Sequence, residues 1–173
     1  MAGAKLLRPD AHLMLINEAW GAFEHAHHFL AGHGEKVHEF LAYRTRQFPN
    51  APPPTSLHAS RRGGTDPAGV THIWENVSTG GTSAWKAVRI GKAMGYEELI
   101  LCGCPINDSG YFFGKQRTGI TVACDRIGDG EGRMYHNYRT TFAVRAKGEG
   151  QGVFSMSGYS RELLGAPAAR SAA

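Results

Sequence analysis

Leu13-Met14-Leu15-Ile16 is an unbroken apolar run that stops at Asn17-Glu18, and Leu99-Ile100-Leu101-Cys102 is a second that stops at Gly103. Neither alternates apolar with polar residues, so a strand built from either must be covered on both faces. Such cover comes from crossover helices packed on a parallel sheet. The clearest crossover begins at the turn Ser78-Thr79-Gly80-Gly81-Thr82-Ser83. Ala84, Ala87, Val88, Gly91 and Met94 then share one helical face, Gly95 caps the helix, and the Leu99–Cys102 strand follows. That is half of a parallel βαβ unit, with Cys102 inside the strand as a core thiol.

The remaining text follows the same alternation. Trp20 to His33 is ambiguous, because Ala22, Phe23, Ala26, Phe29 and Leu30 recur at helical spacing while His28-Phe29-Leu30-Ala31 also suits a short strand. Helix then strand is the reading taken. Glu35 to Gln47 is an amphipathic helix with acidic residues early and basic residues late, as the helix dipole favours. Pro49 and Pro52-Pro53-Pro54 stop it. Leu57 to Ala59 and Val70 to Val77 are strand candidates, separated by a loop from Arg61 to Pro67. Met134 to Ala146 is a helix broken by Gly148 to Gly152, Val153-Phe154 opens a last strand, and Tyr159 to Leu164 is a brief helix closed by Gly165 and Pro167. The expected fold is therefore α/β, a Rossmann-like three-layer sandwich with a mostly parallel sheet. A single domain over residues 1–173 is expected, with a glycine-rich excursion at 103–132.

Composition narrows the setting. A chain of 173 residues can bury a core without staples. Three cysteines, two of them flanking one glycine, do not form a disulfide framework, which points to a reducing compartment. No apolar stretch reaches membrane length and Met1 to Arg8 is no signal peptide, so a cytoplasmic location is expected, with no membrane partner. The net charge of +4 favours anionic partners, and a small phosphorylated ligand suits it as well as nucleic acid does. Nine histidines raise the question of a metal, because His25, His27, His28, His33 and His38 crowd together. None has a Cys-x2-Cys partner or a His-Glu-x-x-His arrangement, so no metal is expected.

In an open parallel sheet the ligand sits beyond the carboxyl ends of the strands, where loops converge and helix N-termini point outward. Five places qualify: Asn17-Glu18, His33-Gly34, Ser78 to Ser83, Gly103 to Tyr111, and Ser155 to Gly158. The turn of Ser78, Thr79, Gly80, Gly81, Thr82 and Ser83 offers glycine backbone, hydroxyls and a helix start to an anion, although it is neither a Walker A loop nor a G-x-G-x-x-G fingerprint. Its plain alternative is a helix cap, and Ser157-Gly158 carries the same pair of readings. His33 and His136 are the general-base candidates, since imidazole titrates near neutrality and both stand in or near loops. Asp108 is a carboxylate at the same edge.

Gly81-Thr82-Ser83-Ala84 leading to Ala93-Met94-Gly95-Tyr96-Glu97-Glu98-Leu99-Ile100-Leu101-Cys102-Gly103 resembles the core of the bacterial sialyltransferase-like glycosyltransferases and the related family of archaeal hydroxymethylpterin pyrophosphokinases. Small phage and prophage proteins of this kind end in a phrase similar to Ser155 to Gly165. The resemblance spans roughly half of the chain. It implies a nucleotide or nucleotide-sugar ligand, with Asn107, Asp108 and Tyr111 on the phosphate and His136 as base. The family's Gly-x-Asp step is Gly103-Cys104-Pro105 here, and its opening strand with a Gly-x-Gly-Pro-Ser turn is absent, as if the first βα unit were missing. That departure implies lost nucleotide binding, a site completed by a partner, or a shortened chain.

Two functions of different class are expected from these readings. The first is group transfer from a nucleotide-activated compound, glycosyl transfer foremost. The second is a non-catalytic, phage-derived domain that assembles with itself as a homo-oligomer or with another protein. Nucleic-acid binding rests on the basic charge alone.

Overall fold

Every strand pairing described in the computed structural model is parallel, as the unalternating apolar runs require. The structure describes the backbone of residues 10–60, 69–75, 77, 82–104, 106 and 131–168, and the side chains of these except Ser60 and 131–138. One sheet holds β1 (Met14–Ile16), β2 (His28–Ala31), β3 (Leu57–Ser60) and β4 (His72–Trp74) in that order, and a second pairs β5 (Leu99–Leu101) with β6 (Val153–Ser155). The helices are α1 (Val37–Gln47), α2 (Ser83–Ala93), α3 (Glu131–Glu149) and α4 (Gly158–Leu164). This is the Rossmann-like α/β architecture expected. Contacts group β1–β4 with α1 in one compact unit and the remaining elements in another.

In the four-stranded unit, Leu15 pairs with Phe29, Phe29 with Leu57, and Ala31 with Ala59. Side chains alternate across a strand, so these five residues share one face. Helix α1 lays Val37, Phe40 and Tyr43 on that face, and Trp20 joins them. Trp20 and Phe40 are fully buried, each contributing on the order of 2–3 kcal/mol. The Trp20 indole N–H would be costly to bury alone; it donates to the carbonyls of Leu15 and Leu30 at 3.2 and 3.3 Å. Arg44 reaches the same core from α1. Its guanidinium lies 5.1 Å from the Phe29 ring centroid and donates to the Glu24 carbonyl.

The helix expected from Trp20 is a 3₁₀ helix at Asn17–Gly21 instead, since Asn17 adopts a left-handed conformation (φ 53°) that turns the chain directly out of β1. A second 3₁₀ turn, Gly34–Lys36, leads into α1.

The other unit packs Trp85, Val88, Leu101, Phe142 and Val153 into its own core. Gly91 lies against Leu99, where a Cβ would stand 2.6 Å from Leu99 Cδ2, and Trp85 clusters with Leu101. That order places the first turn of α2 toward the carboxyl end of β5. The Glu149 carboxylate ties α2 to α3, accepting from Trp85 Nε1 at 3.0 Å, Arg89 Nε at 2.8 Å and Arg145 Nη1 at 2.9 Å. The Arg89 hydrogen bond, aided by those of Trp85 and Arg145, holds this carboxyl down at about 2.

Three expectations change. Cys102 is no core thiol: β5 ends at Leu101, Cys102 is exposed, and Gly103 (φ 70°) carries the chain away. The break expected at Gly148 falls later, because α3 runs through that glycine to the residue that Arg89 and Arg145 hold. The strand expected over Val70 to Val77 is confined to His72–Trp74. Among the described residues no helix is long and apolar enough to cross a membrane.

Candidate functional site

In the four-stranded unit the carboxyl edge brings together two of the residues singled out by sequence. Asn17 directly follows β1, and His33 follows its neighbour β2 after one glycine. The left-handed turn at Asn17 aims its side chain across the strand gap, where Oδ1 accepts the Gly32 N–H at 2.8 Å. His33 is half-buried, and its Nδ1 lies 3.3 Å from Glu35 Oε1. A carboxylate can only accept from a neutral imidazole's N–H, so this contact puts the proton on Nδ1 and leaves Nε2 as the basic nitrogen. The first turns after β2, Gly34–Lys36 and then α1, start beside it. A polar side chain, an oriented imidazole and a helical start thus occupy the edge where open parallel sheets receive ligands.

The other unit holds a second set of the expected residues. Thr82 is the N-cap of α2, its hydroxyl accepting the Trp85 N–H at 3.2 Å, and Ser83 is the first helical residue. This is the plain capping role. Gly103, Ser157 and Gly158 lie beyond the parallel ends of β5 and β6, and buried hydroxyls tie that edge together. Ser155 Oγ and Ser160 Oγ are 2.8 Å apart, and Ser160 donates to the Cys104 carbonyl at 2.6 Å. Both hydroxyls are used by the protein itself, so the site they build is a rigid rim. Ser78, Thr79, Gly80, Gly81, Asn107, Asp108 and Tyr111 lie outside the described residues. His136 lies within the backbone of α3, but its side chain falls outside them as well.

The crowd of histidines in the text separates in space. His25 and His38 are exposed, each 3.9 Å from a glutamate on a neighbouring residue. His33 stands at the carboxyl end of β2. His27 and His28 stand at its amino end, where they join His12, His58 and His72, three residues that sequence reasoning did not single out. The signal was present, since a histidine stands first in β2 and β4 and second in β3, at His28, His72 and His58. Only the parallel register turns that recurrence into contact: Leu30 pairs with His58 and His58 with His72.

His58 is almost fully buried, and burial with the charges of His28 and His72 pulls it down to about 4. His58 Nε2 lies 3.2 Å from His28 Nδ1, and His28 Nε2 lies 3.0 Å from His12 Nδ1. The nitrogens are joined end to end rather than aimed at one point. Accordingly, among the described residues no group of three or more histidine, cysteine or acidic side chains could hold a metal ion. No family model, no curated protein and no solved structure matches this chain.

Proposed function

We propose that the chain binds a nucleotide-activated small molecule at the carboxyl edge of its four-stranded sheet and transfers a group from it, glycosyl transfer being the first chemistry to test. The observation that carries this reading is the side-by-side placement of Asn17 and His33 past adjacent parallel strands, with His33 oriented by Glu35. Asn17 and the Gly34 and Glu35 amides that open the turn would hold the anionic end of the ligand, and His33 Nε2 would remove the proton from the acceptor hydroxyl. The net charge of +4 supports an anionic ligand. The resemblance of Gly81 to Gly103 to sialyltransferase-like enzymes supports the same class of compound.

Thermal stabilisation by a panel of nucleoside mono- and diphosphates and nucleotide sugars tests the reading. At a ligand concentration of about 100 times Kd, binding adds about 2.7 kcal/mol to stability. A shift with one or more members supports the proposal, and His33→Asn should then keep the shift while losing turnover. No shift with any member would return the chain to the other class, a non-catalytic domain that assembles with copies of itself or with a partner protein.

A further inference from the structure

The histidines at the amino edge of the four-stranded sheet form a directional hydrogen-bond chain whose tautomers the surrounding donors determine. Trp74 Nε1 can only donate, and it lies 3.0 Å from His58 Nδ1, so that nitrogen carries a lone pair. The His58 proton is therefore on Nε2, 2.9 Å from Ser56 Oγ. Ser56 Oγ is in turn 2.9 Å from His28 Nδ1, and His28 Nε2 faces His12 Nδ1 at 3.0 Å. A parallel restraint acts on His27, whose Nδ1 accepts the Leu13 N–H at 2.9 Å. Rings also stack along the chain: His58 on His72 with centroids 4.7 Å apart, and His12 on His27 at 4.4 Å.

The Trp74 link requires a neutral His58. A proton added to His58 would go on Nδ1, where it would meet the Trp74 N–H donor to donor. The groups facing His58 are His28 from β2, His72 and Trp74 from β4, and Ser56 from the lead into its own strand. The titratable ones among them gain positive charge in acid. The chain ends at an indole, which accepts no proton, so it does not conduct protons through the sheet.

We propose that this histidine chain is an acid-operated release: proton uptake at His58 breaks the cross-links between β2, β3 and β4 and loosens the four-stranded unit. The expectation is independent of the ligand reading. With an unfolded value of 6.5 and a folded value of about 4, the unfolding equilibrium constant rises about 30-fold between pH 7.5 and 5 on account of His58.

The test has two parts. Imidazole NMR of the whole chain should show His58 still neutral at pH 5.5 with Nε2 protonated; titration near 6.5 with the fold intact would overturn the proposal. Urea unfolding at pH 7.5 and 5 should show the full acid response in the native chain and a response about 30-fold smaller in His58→Gln, which keeps polar contacts without titrating. Equal responses would overturn it. Should His58→Gln not fold, Trp74→Phe removes only the opposing donor from the ring system. In that variant the His58 titration should move up toward its ordinary value, and an unmoved titration counts against the mechanism.

Discussion

At Gly21 the 3₁₀ helix after β1 meets α1 so closely that a Cβ would overlap the Tyr43 ring. Overfilling a packed contact typically costs about 1–3 kcal/mol, so Gly21→Ala should lower the unfolding free energy by about that amount, seen as a lower urea midpoint with little change in slope. Thr82→Ala removes the hydroxyl that caps α2 and should cost about 1 kcal/mol in the same measurement. These two residues differ in how far the text reveals them. Thr82 is legible, since a hydroxyl before an alanine-rich helical face is a local capping signal. Gly21 is not, because its requirement for no side chain comes from Tyr43, a residue more than twenty positions away on another element. His58 belongs with Gly21: nothing local marks a histidine in an apolar strand as one link of a chain across three strands.

At the scale of elements, β1 and β5 and the helices α1 and α2 were legible, because unbroken apolar runs and helical faces report burial directly. Strand β2 stayed open between helix and strand and β3 was a short candidate, because a histidine interrupts or opens each run. The end of α3 was not. Glycine disfavours helix interiors, yet α3 continues past Gly148 because Glu149 is held by Arg89, Arg145 and Trp85. Gly148 has open space where a Cβ would stand, so Gly148→Ala should stabilise the chain by about 0.5–1 kcal/mol. Glu149→Gln should cost about 1–2 kcal/mol at pH 7 by removing the negative charge between two guanidiniums and putting an N–H donor in place of one accepting oxygen. The folded carboxyl lies below its ordinary 4.5, so its contribution is present above that value and is lost as pH falls from 4.5 toward about 2. The difference between Glu149→Gln and the native chain should accordingly fade over that window.

For the whole molecule, the two titrating groups set an order. His58 lies in the unit of β1–β4 and weakens it between pH 6.5 and about 4, while Glu149 lies in the other unit and weakens it only below 4.5. Amide signals of β2, β3 and β4 should therefore broaden or vanish at higher pH than those of α2 and β5. The candidate site was legible in part. Asn17 and His33 were named from their places after apolar runs, and the parallel sheet does bring them to one edge. Glu35, which orients His33, was not named, because a glutamate opening a helix reads first as dipole compensation. The central claim is that this edge receives an anionic ligand. Amide and imidazole chemical shifts of the labelled chain, followed while nucleoside diphosphates and nucleotide sugars are added, test it most directly. Saturable changes at Asn17, Gly32, His33 and Glu35 are predicted; no change with any of the compounds, or changes confined to His28, His58 and His72, would contradict it.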